Sequence, residues 1–154
     1  MKSWKIIIAG IVFAIIAQLV HSTEAYATMN FYADPAYCQC DMQTGKVGVC
    51  IWSSLMMPTC GAPPTEFYYY SIMFGVISGI IYAIVYEFVK KSLPGKSITK
   101  MGLYFGFLLF LISISWSLTL YLLINMPTML LIYWAISSLV IDLVGGVVIA
   151  RILK

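Results

Sequence analysis

The chain has 154 residues, of which 62% are hydrophobic and only 10% are charged. This composition excludes an ordinary soluble domain, in which about a quarter of the residues are charged, and it indicates an integral membrane protein. The length allows one compact unit. A net charge of +3 would favour an anionic partner only if the basic residues were scattered. They are segregated, so no nucleic-acid partner is expected.

The first apolar run covers residues 6–20 and is short for a membrane-crossing helix, which needs about 20 residues. Lys2 and Lys5 precede it, and the small-x-small sequence AYA follows at residues 25–27, so it also fits the core of a signal peptide. Including Ser3, Trp4 and the uncharged residues 18–21 gives a usable span. Two alternatives stand: a retained helix over about residues 4–22, which we adopt, and a cleaved signal peptide.

The next segment, predicted as a loop over residues 23–66, contains all four cysteines: Cys38, Cys40, Cys50 and Cys60. An even number of cysteines in an extracytoplasmic loop favours disulfides. A bridge between the first two would close a very small, strained ring. We therefore expect each of them to pair with one of the last two, in either of two patterns. The spacing C-x-C-x9-C-x9-C lacks the paired C-x2-C of zinc sites, so no metal or other cofactor is expected.

A redox role for these cysteines is the alternative. A small four-helix membrane protein with extracytoplasmic cysteine pairs resembles, in outline, the quinone-coupled disulfide-generating enzymes of the vitamin K epoxide reductase type. The resemblance implies a thiol–disulfide oxidoreductase. This chain departs from the C-x-x-C pair of those enzymes, because Cys38 and Cys40 are separated by one residue. Reactive cysteines also need electropositive surroundings, and the nearby cation is Lys46.

Three longer apolar runs complete the pattern and predict helices over residues 67–89, 101–124 and 128–150. Together with the first helix they predict an all-α membrane protein, a four-transmembrane-helix bundle forming one membrane domain over residues 1–154. Eight of the nine basic residues flank one side of these helices: Lys2, Lys5, Lys90, Lys91, Lys96, Lys100, Arg151 and Lys154. The positive-inside rule makes that side cytoplasmic. We expect a multi-pass protein of the cytoplasmic membrane, with both termini inside and the cysteine loop outside.

Small residues spaced four apart predict close helix packing, because lipid gives no hydrophobic drive for association between helices. The glycines concerned are Gly10, which pairs with Ala14, then Gly75, Gly79, Gly102 and Gly106, with Gly145 and Gly146 on the last helix. The pattern favours packing within the chain, and one such face is also able to meet another subunit.

Asp142 lies nine positions before Arg151, about 13 Å along the helix axis from the predicted cytoplasmic boundary. An acid at that depth needs a proton or a partner. Counting from the membrane ends places Tyr82 at a similar depth, with Ser78 and Ser113 about a turn away. Three alternatives stand: a protonated acid hydrogen-bonded inside the bundle, an acid paired to a basic group of another subunit, or a member of an ion or proton path.

The stretches SLPGKSITKMGLYFGFLLFL and LLINMPTMLLIYWAISSLVIDLVGGVVIARILK belong to the part of the chain over residues 68–154. This part resembles a loose group of small uncharacterised prokaryotic four-helix membrane proteins, in which a G-x-x-x-G-type third helix and a glycine-containing last helix recur. The resemblance implies a helical fold with the first span retained, and it implies no activity.

The sequence contains no nucleotide-binding loop, nucleophile motif or carboxylate pair, and its single histidine, His21, excludes a bis-histidyl haem within one chain. The leading expectation is therefore a non-catalytic accessory or structural subunit of a larger membrane complex. Its partners would be the lipid bilayer and either other membrane subunits or further copies of itself. The alternatives are a membrane thiol–disulfide oxidoreductase that uses the loop cysteines and a small-ion or proton conductor centred on Asp142.

Overall fold

The computed structural model describes residues 3–33, 65–123 and 128–154. Within these residues the chain is all-helical, with α1 over Ser3–Ala33, α2 over Thr65–Val89, α3 over Ile98–Leu123 and α4 over Thr128–Ile152. Each helix is long and apolar enough to cross a membrane. The predicted all-α fold with four membrane-crossing helices is confirmed, and the chain is a multi-pass membrane protein. The four cysteines, with their predicted disulfides, lie outside the described residues.

Helix α1 is longer than the sequence predicted, because it continues to Ala33 instead of ending near residue 22. The predicted loop over residues 23–66 therefore begins with helix. Hydropathy falls after Val20, but the chain contains no glycine or proline between Gly10 and Pro35 to break the helix. The described helix reaches Ala33, two residues before that proline.

Polar side chains in this extension are satisfied locally. The hydroxyl groups of Ser22, Thr23 and Thr28 each donate to a backbone carbonyl one turn earlier, at 2.7–2.9 Å. Serine and threonine commonly make such bonds in helices. The lower hydropathy of this segment is therefore compatible with helix.

The turn between α2 and α3 follows recognisable rules. Pro94 and Gly95 interrupt the helical pattern, and Gly95 has a φ of +119°, a backbone conformation that glycine adopts without a steric penalty. Ser97 then caps α3, since its hydroxyl oxygen accepts a hydrogen bond from the backbone amide of Lys100 at 3.2 Å.

The helices alternate in direction, so four helix ends meet at what we call the basic end: the start of α1, the end of α2, the start of α3 and the end of α4. Lys90 links two of these ends, because its Nζ atom lies 2.9 Å from Glu87 Oε1 and donates to the carbonyl of Leu153 at 3.3 Å. The described basic residues all belong to this end of the molecule: Lys5, Lys90, Lys91, Lys96, Lys100, Arg151 and Lys154.

Two helix pairs form the bundle, and each pair crosses at glycines. In the first pair, a β carbon added to Gly10 of α1 would lie 2.8 Å from the backbone nitrogen of Ile80 in α2, and one added to Gly79 would lie 2.6 Å from the Gly10 carbonyl oxygen. In the second pair, a β carbon on Gly146 of α4 would lie 2.8 Å from the backbone nitrogen of Gly106 in α3. Backbones approach this closely only where side chains are missing.

The pairs meet where α1 packs against α4, and Phe13 of α1 lies directly on Gly145 of α4. The continuous core occupies the half of the bundle nearest the basic end. There α2 also reaches α3, because the rings of Tyr86 and Phe105 pack edge to face with centroids 5.2 Å apart. Other core residues include Ile6, Ala83, Leu109, Ile149 and Leu153.

Away from the basic end α2 and α3 separate. Residues 105, 109, 112 and 116 of α3 share one helix face, because they are spaced four, three and four apart. Phe105 and Leu109 on this face are 0% and 7% exposed, whereas Ile112 and Trp116 are 64% and 65% exposed. We call the gap beside these last two residues the open seam.

Candidate functional site

A cavity of about 530 Å³ lies between the helices in the half of the bundle where α2 and α3 separate. One face of α2, from Phe67 to Tyr82, forms one wall, and α1 forms another from Phe13 to His21. Helix α4 contributes Ser138, Ile141 and Asp142, and α3 contributes Ser113. The volume falls within the range of small-molecule sites, about 300–1,000 Å³.

Asp142 lies at the inner end of the cavity and is 5% exposed. Its Oδ2 atom accepts a hydrogen bond from the hydroxyl of Ser113 at 3.3 Å. Helix packing explains this meeting, because the glycine at position 106 lets α3 lie against the backbone of Asp142. Ser113 is seven residues further along α3, two turns of helix, and so returns to the same face.

The cavity floor is completed by two aromatic residues. Phe13 is 3% exposed and is fixed from behind by Gly145, whose missing side chain leaves room for the ring. The ring of Tyr82 packs edge to face against Phe13, with centroids 5.1 Å apart. The buried acid, the buried ring of Phe13 and the half-buried ring of Tyr82 therefore lie together at the inner end of the cavity.

The lining between the floor and the mouth of the cavity is polar, and the mouth is aromatic. Ser71 donates a hydrogen bond to the Oε1 atom of Gln18 at 3.2 Å, joining α2 to α1 across the cavity wall. The mouth itself is aromatic, since Phe67, Tyr70 and Phe74 line it while each remains exposed. The rings of Tyr70 and Phe74 stack with centroids 6.5 Å apart.

A smaller polar groove of about 320 Å³ adjoins the cavity through His21 and Ser138, which line both. Glu24 also lines the groove, with its side chain 11% exposed and its Oε2 atom 3.7 Å from His21 Nδ1. Its Oε1 atom accepts a hydrogen bond from Thr28 at 3.2 Å. Sequence reasoning placed Glu24 in the outer loop, and the structure corrects this assignment because the residue belongs to α1.

The sequence singled out Asp142 and Tyr82 as intramembrane polar residues, and both line the cavity, together with Ser78 and Ser113. Sequence reasoning did not single out Gln18, Ser71 or Glu24. The spacing of Gln18, His21, Glu24 and Thr28 at three or four residues is a signal that would have found part of this polar face, had α1 been predicted at its full length.

The glycines singled out for helix packing all lie against the chain's own helices. Gly10, Gly79, Gly102, Gly106, Gly145 and Gly146 leave less than 3 Å between an added β carbon and a neighbouring helix, whereas Gly75 leaves 3.4 Å to Ala14. Within the described ranges, no three His, Cys, Asp or Glu side chains lie close enough together to hold a metal ion.

No protein-family model matches the chain, and neither a curated protein nor a solved structure is significantly similar to it.

Proposed function

We propose that this protein is a non-catalytic subunit of a larger membrane assembly and that a partner helix packs into the open seam between α2 and α3. The single observation that carries the proposal is the change of environment along one face of α3. The face is buried against the bundle at Phe105 and Leu109 and exposed at Ile112 and Trp116. Tryptophan is enriched among the residues that dominate binding at protein–protein interfaces, and Trp116 is 65% exposed.

The glycine faces support this choice of surface by exclusion. Small-residue faces are the usual means by which membrane helices of different subunits associate. Here Gly10, Gly79, Gly106 and Gly146 contact helices of the same chain. A partner helix is therefore expected to use another surface. The open seam is such a surface, because α2 and α3 contact each other at the basic end and separate beyond it.

The orientation and the disulfides belong to the same proposal. The basic end faces the cytoplasm, because the described lysines and arginine collect there and positive charge is retained on that side of a membrane. The cysteine segment then lies outside the cytoplasm, where its thiols are oxidised to disulfides.

Site-specific photo-crosslinking in the native membrane tests the partner. A benzophenone amino acid is introduced at Trp116, in the seam, or at Leu118, which is exposed on the opposite side of α3 and 53% accessible. The expected result is a discrete covalent adduct from position 116 and none from position 118. The partner protein identified in the adduct should co-purify less with the Ile112→Ala variant than with the parent chain. Leu118→Ala should not change the amount that co-purifies.

Equal crosslinking to lipid alone from both positions would contradict the proposal. An adduct of twice the chain's mass would identify the partner helix as a second copy of this chain. A different protein in the adduct would identify a hetero-oligomeric complex.

The two alternative functions have less support. The oxidoreductase hypothesis depends on cysteines that lie outside the described residues. A conductor centred on Asp142 needs a route on both sides of the acid, and the side nearest the basic end is filled by core residues that include Tyr86, Phe105 and Ile149. Both hypotheses stay predictions of the sequence.

A further inference from the structure

The cavity around Asp142 is not explained by a partner helix in the seam. It extends inward past the seam to a floor made by Asp142, Tyr82 and Phe13. The space of about 530 Å³ beside the buried acid is larger than the voids of packed interiors, few of which exceed a water molecule. The cavity is therefore large enough to hold a small-molecule ligand.

The charge of the floor favours a cationic occupant. Among the described residues that line the cavity, Asp142 is the acidic one, and none is a lysine or an arginine. The one hydrogen bond from Ser113 occupies part of the accepting capacity of a carboxylate, which has about four lone-pair sites. A positively charged group of a ligand beside the other carboxylate oxygen of Asp142 would balance its charge.

The rings favour an organic cation over a metal ion. Aromatic rings attract ammonium groups through their quadrupoles. The half-buried ring of Tyr82, supported by Phe13, lies at the floor, and the exposed rings of Tyr70 and Phe74 lie at the mouth. Hard metal ions instead take six or more oxygen ligands at short distance. The described lining of the cavity offers one carboxylate, with hydroxyl and amide groups spread over several turns.

We infer that the cavity binds a hydrophobic organic cation, such as a quaternary amine with an aromatic or alkyl body. The cationic group lies beside Asp142 and the ring of Tyr82, and the apolar body extends along the aromatic face of α2 towards Phe74. The ligand enters through the open seam or the mouth near Phe67. This inference is independent of which partner, if any, packs into the seam.

Calorimetric titration of the purified chain in lipid nanodiscs with benzyltrimethylammonium tests the inference. The neutral analogue neopentylbenzene has the same shape and controls for hydrophobic uptake. The expected result is saturable binding of the cation at one site per chain, without saturable binding of the neutral analogue. The Asp142→Asn variant should weaken the affinity about tenfold or more, because a charge pair is much stronger in a partly desolvated site than at a surface.

Two further variants separate a binding role of the acid from a folding role. Phe74→Ala removes an exposed ring at the mouth that contacts the apolar body of the ligand. This variant should weaken binding about threefold, without affecting the fold. Glu87→Gln removes one negative charge at the basic end, away from the cavity, and should leave the affinity unchanged.

Equal affinity for the cation and the neutral analogue, unchanged affinity in Asp142→Asn, or full displacement of the cation by sodium or potassium at millimolar concentration would each overturn the inference. Failure here does not bear on the proposed assembly, which the Trp116 crosslink tests, and Asp142→Asn should retain that crosslink.

Discussion

At the scale of single residues, the position of Asp142 depends on a side chain that is missing. An added β carbon at Gly106 would collide with the carbonyl group of Asp142 and would lie 2.8 Å from the Cα atom of Leu143. Close contact between these two backbones brings Ser113 within hydrogen-bonding distance of the carboxyl group. Two features therefore position Asp142: the close packing of α3 against α4 at Gly106 and the hydrogen bond from Ser113.

Gly106→Ala is expected to destabilise the protein. Forcing the two helices apart costs about 1–3 kcal/mol, which outweighs the gain of about 1 kcal/mol that alanine has over glycine in a helix interior. Thermal or denaturant unfolding in detergent measures the difference.

Gly75→Ala is the matched control for that substitution. Its added β carbon would lie 3.4 Å from the Ala14 side chain, an ordinary contact distance, so this variant should be as stable as the parent or more stable. A Gly106→Ala protein that unfolds at or above the parent's temperature would contradict the contact described here.

At the scale of elements, α1 is longer than the apolar layer of a bilayer is thick. Its 31 residues span about 46 Å, whereas the hydrocarbon core of a bilayer is about 30 Å thick. The last turns of α1 therefore either extend beyond the apolar layer or require a tilted helix. The middle of this long helix carries His21 and Glu24 to the polar groove that adjoins the cavity.

Ala27→Pro tests whether residues 23–33 are helical in the membrane. Proline in a helix interior removes a backbone hydrogen bond and clashes with the preceding turn, at a cost of about 3 kcal/mol or more. The expected outcome is lower helix content by circular dichroism and a lower unfolding temperature, with Ala27→Ser close to the parent. If the proline variant matches the serine variant on both measurements, the segment is not helical.

The elements themselves were largely predictable from the sequence, because apolar runs of about 20 residues have few alternatives in a bilayer. The length of α1 was not, since hydropathy reports where the apolar layer ends and not where the helix ends. In α1 hydropathy falls after Val20, whereas the helix continues to Ala33.

The candidate site was predictable only in part. The depth of Asp142 was enough to pair it with Tyr82 and Ser113 by counting residues from the membrane ends. The cavity depends instead on the separation of α2 from α3, a tertiary feature. No periodic pattern in either helix indicates it, because Ile112 and Trp116 are as apolar as the buried residues on the same face.

At the scale of the whole molecule, the bundle has two unlike halves. The half at the basic end is packed around Tyr86, Phe105 and Ile149, and the other half contains the cavity. If the basic end is cytoplasmic, the mouth of the cavity near Phe67 faces the opposite surface, so the organic cation would reach it from the non-cytoplasmic side.

Thiol labelling of intact cells tests that orientation. An impermeant maleimide should label the four natural cysteines only after an impermeant reductant has opened their disulfides. A cysteine introduced by Lys96→Cys, in the turn between α2 and α3, should react only after the membrane is permeabilised. The reverse pattern, with natural cysteines accessible only from the cytosol, would invert the orientation.

The hydrogen bond between Ser113 and Asp142 joins two consecutive helices, and the same two helices are joined near their connection by the hydroxyl groups of Tyr121 and Thr128, 2.9 Å apart. Both contacts form within a single helical hairpin, which needs neither α1 nor α2. During biosynthesis this hairpin can enter the bilayer as a unit, with its acid already accompanied by a hydrogen-bond donor. The insertion machinery then never has to release an isolated carboxyl group into hydrocarbon, the step that would be the most costly for α4 alone.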